Sequence, residues 1–174
     1  AWVLAEDNLA IDAGRIEKMS KSKRNVVDPE FIIQQYGADT ARLFMMSDSP
    51  PERDLEWSNS GVEGASRFIN KIYRLSLGDD TAHPLAPKGQ EMPELLDDLS
   101  KKTIGEAHRA IAGVTEDIDR FRFNRCVAAL YTLSNAIVAL KDDNKAQNWA
   151  RRFGLETLAQ LIAPIAPHIA EEMW

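Results

Sequence analysis

Between Arg15 and Arg24 the chain carries five bases, Arg15, Lys18, Lys21, Lys23 and Arg24, against one acid, Glu17. The segment is therefore net +4 (five bases less one acid) inside a chain whose 27 acids and 21 bases leave -6. Ser20 and Ser22 alternate with the lysines, and Met19 is the one bulky apolar residue between Lys18 and Lys23. Ammonium and hydroxyl donors spaced in this way suit a polyanion, because they can close around phosphate oxygens as negative charge builds up. A solvated basic loop has the same composition, so charge alone leaves both readings open.

Other reactive groups are scattered. His83, His108 and His168 are isolated from one another, and Cys126 is the single cysteine, which excludes a disulfide framework and a multi-cysteine metal site. Glu171 and Glu172 follow His168 at helical steps, but they read as acids at a helix start rather than as metal ligands. Cys126 reads as a small core residue and the tryptophans Trp57, Trp149 and Trp174 as packing anchors. Asp39 and Arg42 read either as links from the basic loop to a catalytic body or as an ordinary cap and surface base. Basic residues recur at helical spacing in Arg67, Lys71 and Arg74, and cluster in Arg120, Arg122 and Arg125 and in Arg151 and Arg152. Each group suits nucleic-acid phosphates, which position without reading bases; the first is equally a solvated helix face, and the other two read more simply as one.

The elements that must carry these groups are mostly helical. Residues 1–27 have the short apolar clusters of strand and loop. Asp28-Pro29-Glu30 is a cap, a first-turn proline and a first-turn acid, and Gly37 closes the short helix that they open. Asp39 opens another, with Ala41, Leu43, Phe44 and Met45 as inward candidates, and Pro50-Pro51 stops it. Val62, Ala65, Ile69, Ile72 and Tyr73 mark the apolar stripe of a long helix from about Ser60. Gly78 to Pro93, with two glycines and three prolines, reads as an exposed connection. Leu95 or Leu96, Leu99, Thr103, Ala107, Ile111, Val114 and Ile118 mark a second long helix; Asn124 is placed to cap a third, ending near Leu140. A fourth covers about Lys145 to Ile162, and Pro164 and Pro167 separate it from a fifth. The expected fold is mainly α: a small α/β segment followed by an antiparallel helix bundle.

At 174 residues, 44% hydrophobic and 28% charged, the chain is large enough for a packed core. Its longest apolar stretch, Cys126 to Leu140, is too short for a bilayer, so a soluble, cytoplasmic protein without a membrane partner is expected. A start without methionine and an end inside a helical pattern read most simply as a piece of something larger.

Lys18-Met19-Ser20-Lys21-Ser22 matches letter for letter the KMSKS signature of class I aminoacyl-tRNA synthetases. Lys23-Arg24-Asn25-Val26-Val27-Asp28-Pro29 and Tyr36-Gly37-Ala38-Asp39-Thr40-Ala41-Arg42 also resemble the residues after that signature in the leucine, isoleucine and valine enzymes. Ser47 to Trp57, Ser60 to Ala65, Arg67-Phe68, Val114 to Ile118 and the final APIAPHIAEEMW look most like the bacterial leucyl-tRNA synthetases. One departure stands at Arg24, where that family often has glycine, which puts the local turn in question.

The resemblance implies a part in ATP-dependent formation of leucyl-adenylate and then leucyl-tRNA, with ATP, leucine and tRNA(Leu) as partners and Mg2+ accompanying ATP. It implies Lys18 and Lys21 as catalytic, with Lys21, Ser20 and Ser22 on the ATP phosphates, and Arg67, Lys71, Arg74, Arg122 and Arg125 toward tRNA. It divides the chain into the end of a catalytic domain with a stem-contact segment, 1–58, and a helical anticodon-binding-type domain, 59–174. The family's HIGH signature is absent from this sequence, so the chain by itself is not expected to aminoacylate. The competing readings are a piece of an isoleucyl or valyl enzyme, or a non-catalytic helical module that binds a protein.

Overall fold

The computed structural model describes residues 2–3, 10–11, 17–77 and 84–174. Arg15 and His83 lie outside the described residues. Two short strands, β1 (Trp2–Val3) and β2 (Ala10–Ile11), pair antiparallel with Trp2 opposite Ile11. Among the described residues the rest is built from α1 (Pro29–Tyr36), α2 (Ala38–Ser47), α3 (Asn59–Leu77), α4 (Asp98–Asp119), α5 (Phe123–Val138), α6 (Lys145–Ile162) and α7 (Pro167–Met173).

Most boundaries have local causes. The Asp28 carboxylate accepts from the Glu30 amide at 3.0 Å, Pro29 takes the first turn, and Gly37 at φ 86° ends α1. Asp97 caps α4 by accepting from the Ser100 amide at 2.7 Å, and Asn144 caps α6 by accepting from the Gln147 amide at 2.8 Å. Asn124 caps nothing: α5 starts one residue earlier, at Phe123. The turn before it is set by Phe121 at φ 56°, with the Arg122 amide donating to Asp117 O at 2.8 Å. That is the closure a glycine usually makes, and here a phenylalanine makes it.

Helices α4, α5 and α6 pack on one another, and α2 packs against α3 and α5. Leu43 and Phe44 of α2 share one core with Val62 and Ile72 of α3, Val114 of α4, Leu130 and Leu133 of α5, and Leu158 and Ile162 of α6. Gly61 lets α3 approach α2, since a Cβ there would lie 2.6 Å from the Phe44 ring. Phe44 also meets Trp57 edge-on at 5.2 Å between ring centres, and Cys126 is fully buried. No described helix is long and apolar enough to cross a membrane.

Several expectations are corrected by packing. Met45 is exposed, because Leu43 and Phe44 already define the inner face of α2. Leu99 and Ile111 face outward from α4, whose buried face runs through Ser100, Thr103, Ala107, Ala110 and Val114. Trp174 is exposed beneath the Lys88 ammonium. The described part of the supposed exposed connection is a strap on α6. Ala86 is buried, its amide donates to Asn148 O, and the Trp149 indole donates to Gln90 O at 2.8 Å.

Arg151, which by sequence belongs to a surface cluster, is 2% exposed. Its guanidinium donates to Pro84 O and Asn148 Oδ1, both at 2.9 Å, and to Leu140 O at 2.9 Å, joining the strap, the end of α5 and α6. Burial lowers its pKa from the usual guanidinium value. Oxygen acceptors of three separate segments converge on one side chain, so Arg151→Met is expected to destabilise the fold by about 3 kcal/mol. Urea unfolding measures this, and a change under about half a kcal/mol, of order the scatter for surface sites, would contradict it.

Asp97 gives a pH signature. Partial burial pushes its carboxyl up, but hydrogen bonds from Ser100, Gln147 and Asn144 outweigh that and hold the pKa at about 2. A carboxylate depressed on folding stabilises above its unfolded pKa, and that contribution is lost as pH falls through the folded value. The wild-type chain should therefore lose stability between about pH 4 and 2. Asp97→Asn should flatten that part of the urea-midpoint profile; equal slopes in the two proteins would contradict the assignment.

Candidate functional site

The basic loop is a built turn. Residues 21–23 form a single 3₁₀ turn, whose Lys23 amide donates to Ser20 O at 3.2 Å and Ser20 Oγ at 3.3 Å. Ser20 Oγ and Ser22 Oγ lie 3.2 Å apart. Asn25 staples the two arms: its Oδ1 accepts from the Ser20 amide at 2.8 Å and its Nδ2 donates to Lys18 O at 3.4 Å. Lys23 Nζ meets Glu17 Oε2 at 2.7 Å, on side chains that are more than half exposed, so the pair closes the loop's base and adds little stability. Lys18 and Lys21 are exposed and meet no carboxylate among the described residues. The turn thus fixes the backbone of two hydroxyl residues, Ser20 and Ser22, beside the unneutralised ammonium groups of Lys18 and Lys21.

Sequence reasoning gives Asn25 no role. The available signal is its type and place, since a short amide just past a turn commonly bonds backbone a few residues away.

The basic residues of the bundle have mixed surroundings. Lys71 turns toward α5, where its Nζ donates to Asn135 Oδ1 at 2.8 Å and Ser134 Oγ at 3.3 Å, and burial lowers its pKa. Arg67 lies 3.8 Å from Glu63, and Arg74 is exposed near the end of α3. Arg122 and Arg125 share one buried carboxylate, Asp117, at 3.8 and 3.2 Å, so two guanidinium groups are held over one negative charge.

Asp39 and His168 form a contact that joins distant parts of the chain. Asp39 is 7% exposed; its Oδ2 accepts from the Ile169 amide at 2.7 Å and its Oδ1 lies 2.8 Å from His168 Nδ1. Asp39 therefore caps α7 from outside, while its own helix has Gly37 as the unassisted cap. Glu171 and Glu172 lie beyond the first turn of α7, so the negative charge at that helix start comes from α2. Among the described residues no group of three or more acids, histidines or cysteines is placed to hold a metal.

Two family models match the chain: "tRNA synthetases class I (I, L, M and V)" over residues 7–58, and "Anticodon-binding domain of tRNA ligase" over residues 100–174. The leucine--tRNA ligase of Rhodospirillum rubrum is 49% identical over 171 residues, covering 98% of this chain and 20% of that protein. The leucine--tRNA ligase of Paramagnetospirillum magneticum is 49% identical over 172 residues, covering 99% of this chain and 19% of that protein. The chain belongs to the class I aminoacyl-tRNA synthetases. It spans about one fifth of the length of the curated relatives that it matches. Its fold also superposes on LeuRS from Agrobacterium radiobacter, solved as a ternary complex with tRNA and LeuAMS. The TM-score is 0.72 at 28% identity, over 90% of this chain and 20% of that one.

Within this synthetase family the departure at Arg24 has a structural answer. Arg24 has φ 53° and ψ 32°, the left-handed conformation that glycine adopts without strain, and its amide donates to Lys21 O at 3.2 Å. The glycine-type turn is retained with an arginine in it, at a cost of about 1 kcal/mol. Arg24→Gly should keep the turn, whereas Arg24→Val, β-branched at positive φ, should open it. Amide exchange at Lys23 is expected to quicken by about tenfold in the valine variant relative to the glycine one, as about 1.4 kcal/mol of strain requires. Equal exchange in the two would show that the turn does not need this conformation.

Proposed function

We propose that this chain supplies the KMSKS loop and the tRNA-contacting bundle of a leucine–tRNA ligase. Such an enzyme joins leucine to tRNA(Leu) through leucyl-adenylate, with cleavage of ATP, in the cytoplasm. The observation that carries the reading is the loop itself, a hydrogen-bonded turn presenting Lys18 and Lys21 unneutralised beside Ser20 and Ser22. The naming of relatives 49% identical favours leucine over isoleucine or valine.

In the first step the leucine carboxylate attacks the α-phosphorus of ATP, the bond to the bridging oxygen breaks, and pyrophosphate leaves with the electron pair. Negative charge builds on the leaving oxygens, so positioned cations lower the barrier with no covalent part in the reaction. Lys21 is assigned to the departing phosphates with Lys18 in support. Ser20 and Ser22 hold the turn or donate to phosphate. Mg2+ would accompany ATP and offset part of its phosphate charge; among the described residues no group of three or more acids, histidines or cysteines is placed to hold it, and no step is assigned to it. The HIGH signature that would face the other side of ATP lies outside this sequence, so the chain alone is assigned no aminoacylation.

Residues 1–58 are assigned to the end of the catalytic domain and 59–174 to the tRNA-binding bundle. Arg67, Arg74, Arg122 and Arg125 are assigned to tRNA phosphates, giving affinity that salt weakens and little base specificity. Lys71, engaged by α5, would contribute less.

Lys21→Ala in the complete ligase should lower the turnover number for leucine-dependent ATP–pyrophosphate exchange by about a hundredfold, with the leucine KM within about twofold. An unchanged turnover number would remove Lys21 from this role.

A further inference from the structure

The segment Tyr36 to Arg42 carries two charged residues, Asp39 and Arg42, that the adenylation chemistry leaves without a role. They stand three residues apart and so share one face of α2. That face meets the corner where α6 ends and α7 begins. Arg42 Nε donates to Ile165 O at 2.7 Å and its Nη2 donates to Pro164 O at 3.0 Å. Asp39 takes the Ile169 amide at 2.7 Å and faces His168 Nδ1 at 2.8 Å. The cation sits on carbonyls just past the negative end of α6, and the anion sits on the positive start of α7. One helix face thus grips both ends of a single corner.

We infer that Asp39 and Arg42 are positioning residues that set the KMSKS loop's orientation on the bundle through α2; this rests on the ligase reading. Apolar packing of Leu43 and Phe44 holds α2 close to α3 and α5, but such contacts have no preferred direction. The bonds to the corner are directional and fix the rotation of α2 about its axis. Helix α1 is joined to α2 through Gly37 alone. It rests on the core by Ile32 and the half-buried Tyr36, with a smaller contact to α3, so α2 is its main support. The loop follows α1 through Val27, packed on the core, and through the Asn25 staple. A small rotation of α2 therefore displaces Lys18 and Lys21, and a misplacement of about 1 Å can cost a catalytic group about a hundredfold.

The test uses Asp39→Asn, Arg42→Ala and Arg42→Lys in the complete ligase, with rates divided by titrated active sites. Leucine-dependent pyrophosphate exchange per active site should fall about tenfold in the first two, with the leucine KM within about twofold. Arg42→Lys, which can reach one carbonyl of the two, should recover part of the loss. A merely structural role would lower the fraction of active sites and leave the rate of each unchanged. A second readout needs no activity: exchange of the Gly37 amide should quicken about tenfold in Asp39→Asn and Arg42→Ala. Per-site rates and Gly37 exchange both equal to wild type would overturn the positioning role. Faster Gly37 exchange in a protein whose wild type shows no leucine-dependent pyrophosphate exchange would uphold the linkage of α2 to the loop segment and sink the ligase reading instead.

Discussion

The grip of α2 on the α6–α7 corner is the contact on which the arrangement of the molecule depends. Without it the loop-bearing lead-in and the bundle would share apolar surface and little that sets direction. Helix ends make good attachment points because their last carbonyls and first amides have no partners within the helix. Arg42 and Asp39 use both kinds at one corner, each with the charge that the helix end favours. A buried carboxylate such as Asp39 is tolerated because amide and imidazole donors meet it, and the same satisfaction makes the contact specific.

Polar groups do similar work elsewhere in the fold. Arg151 reaches three segments that share no secondary structure and ties the strap after α3 to the central helices. Asp97 caps α4 while accepting from Gln147 and Asn144 at the start of α6. The apolar core supplies the bulk of the driving force, and these few satisfied charges select one arrangement of helices from the several that apolar faces alone permit. The loop is organised on the same terms at a smaller scale. Backbone bonds to Ser20 and Asn25 fix the turn, and the lysine charges remain available outside it.

Much of this is legible in the sequence where the cause is local. The Asp28-Pro29 helix start, the closure at Gly37 and the span Lys145–Ile162 come from capping chemistry and periodicity, and the structure has them at those residues. The KMSKS letters point to the loop, but an arginine in place of the usual glycine puts its turn in question, and only the structure shows that Arg24 keeps the left-handed conformation. The illegible parts depend on partners far away in the chain. Asp39 reads as a cap for its own helix, yet it caps α7, meeting the amide of Ile169. Arg151 reads as surface charge because nothing nearby announces the carbonyls of Pro84 and Leu140. The α4–α5 turn misleads through Asn124 because the left-handed residue is a phenylalanine. Ile111 and Met45 fit an apolar stripe by type, but the faces buried are decided by neighbouring helices.

The most direct measurement is native-state hydrogen exchange at the Ile169 amide, which has the Asp39 carboxylate as its partner. If the grip of α2 is as firm as the core, this amide should exchange only by global unfolding, with the same opening free energy as Leu133 in the middle of α5. Exchange at the rate of a frayed helix end, well ahead of Leu133, would mean that the corner opens by itself and that α2 does not hold the two parts as one.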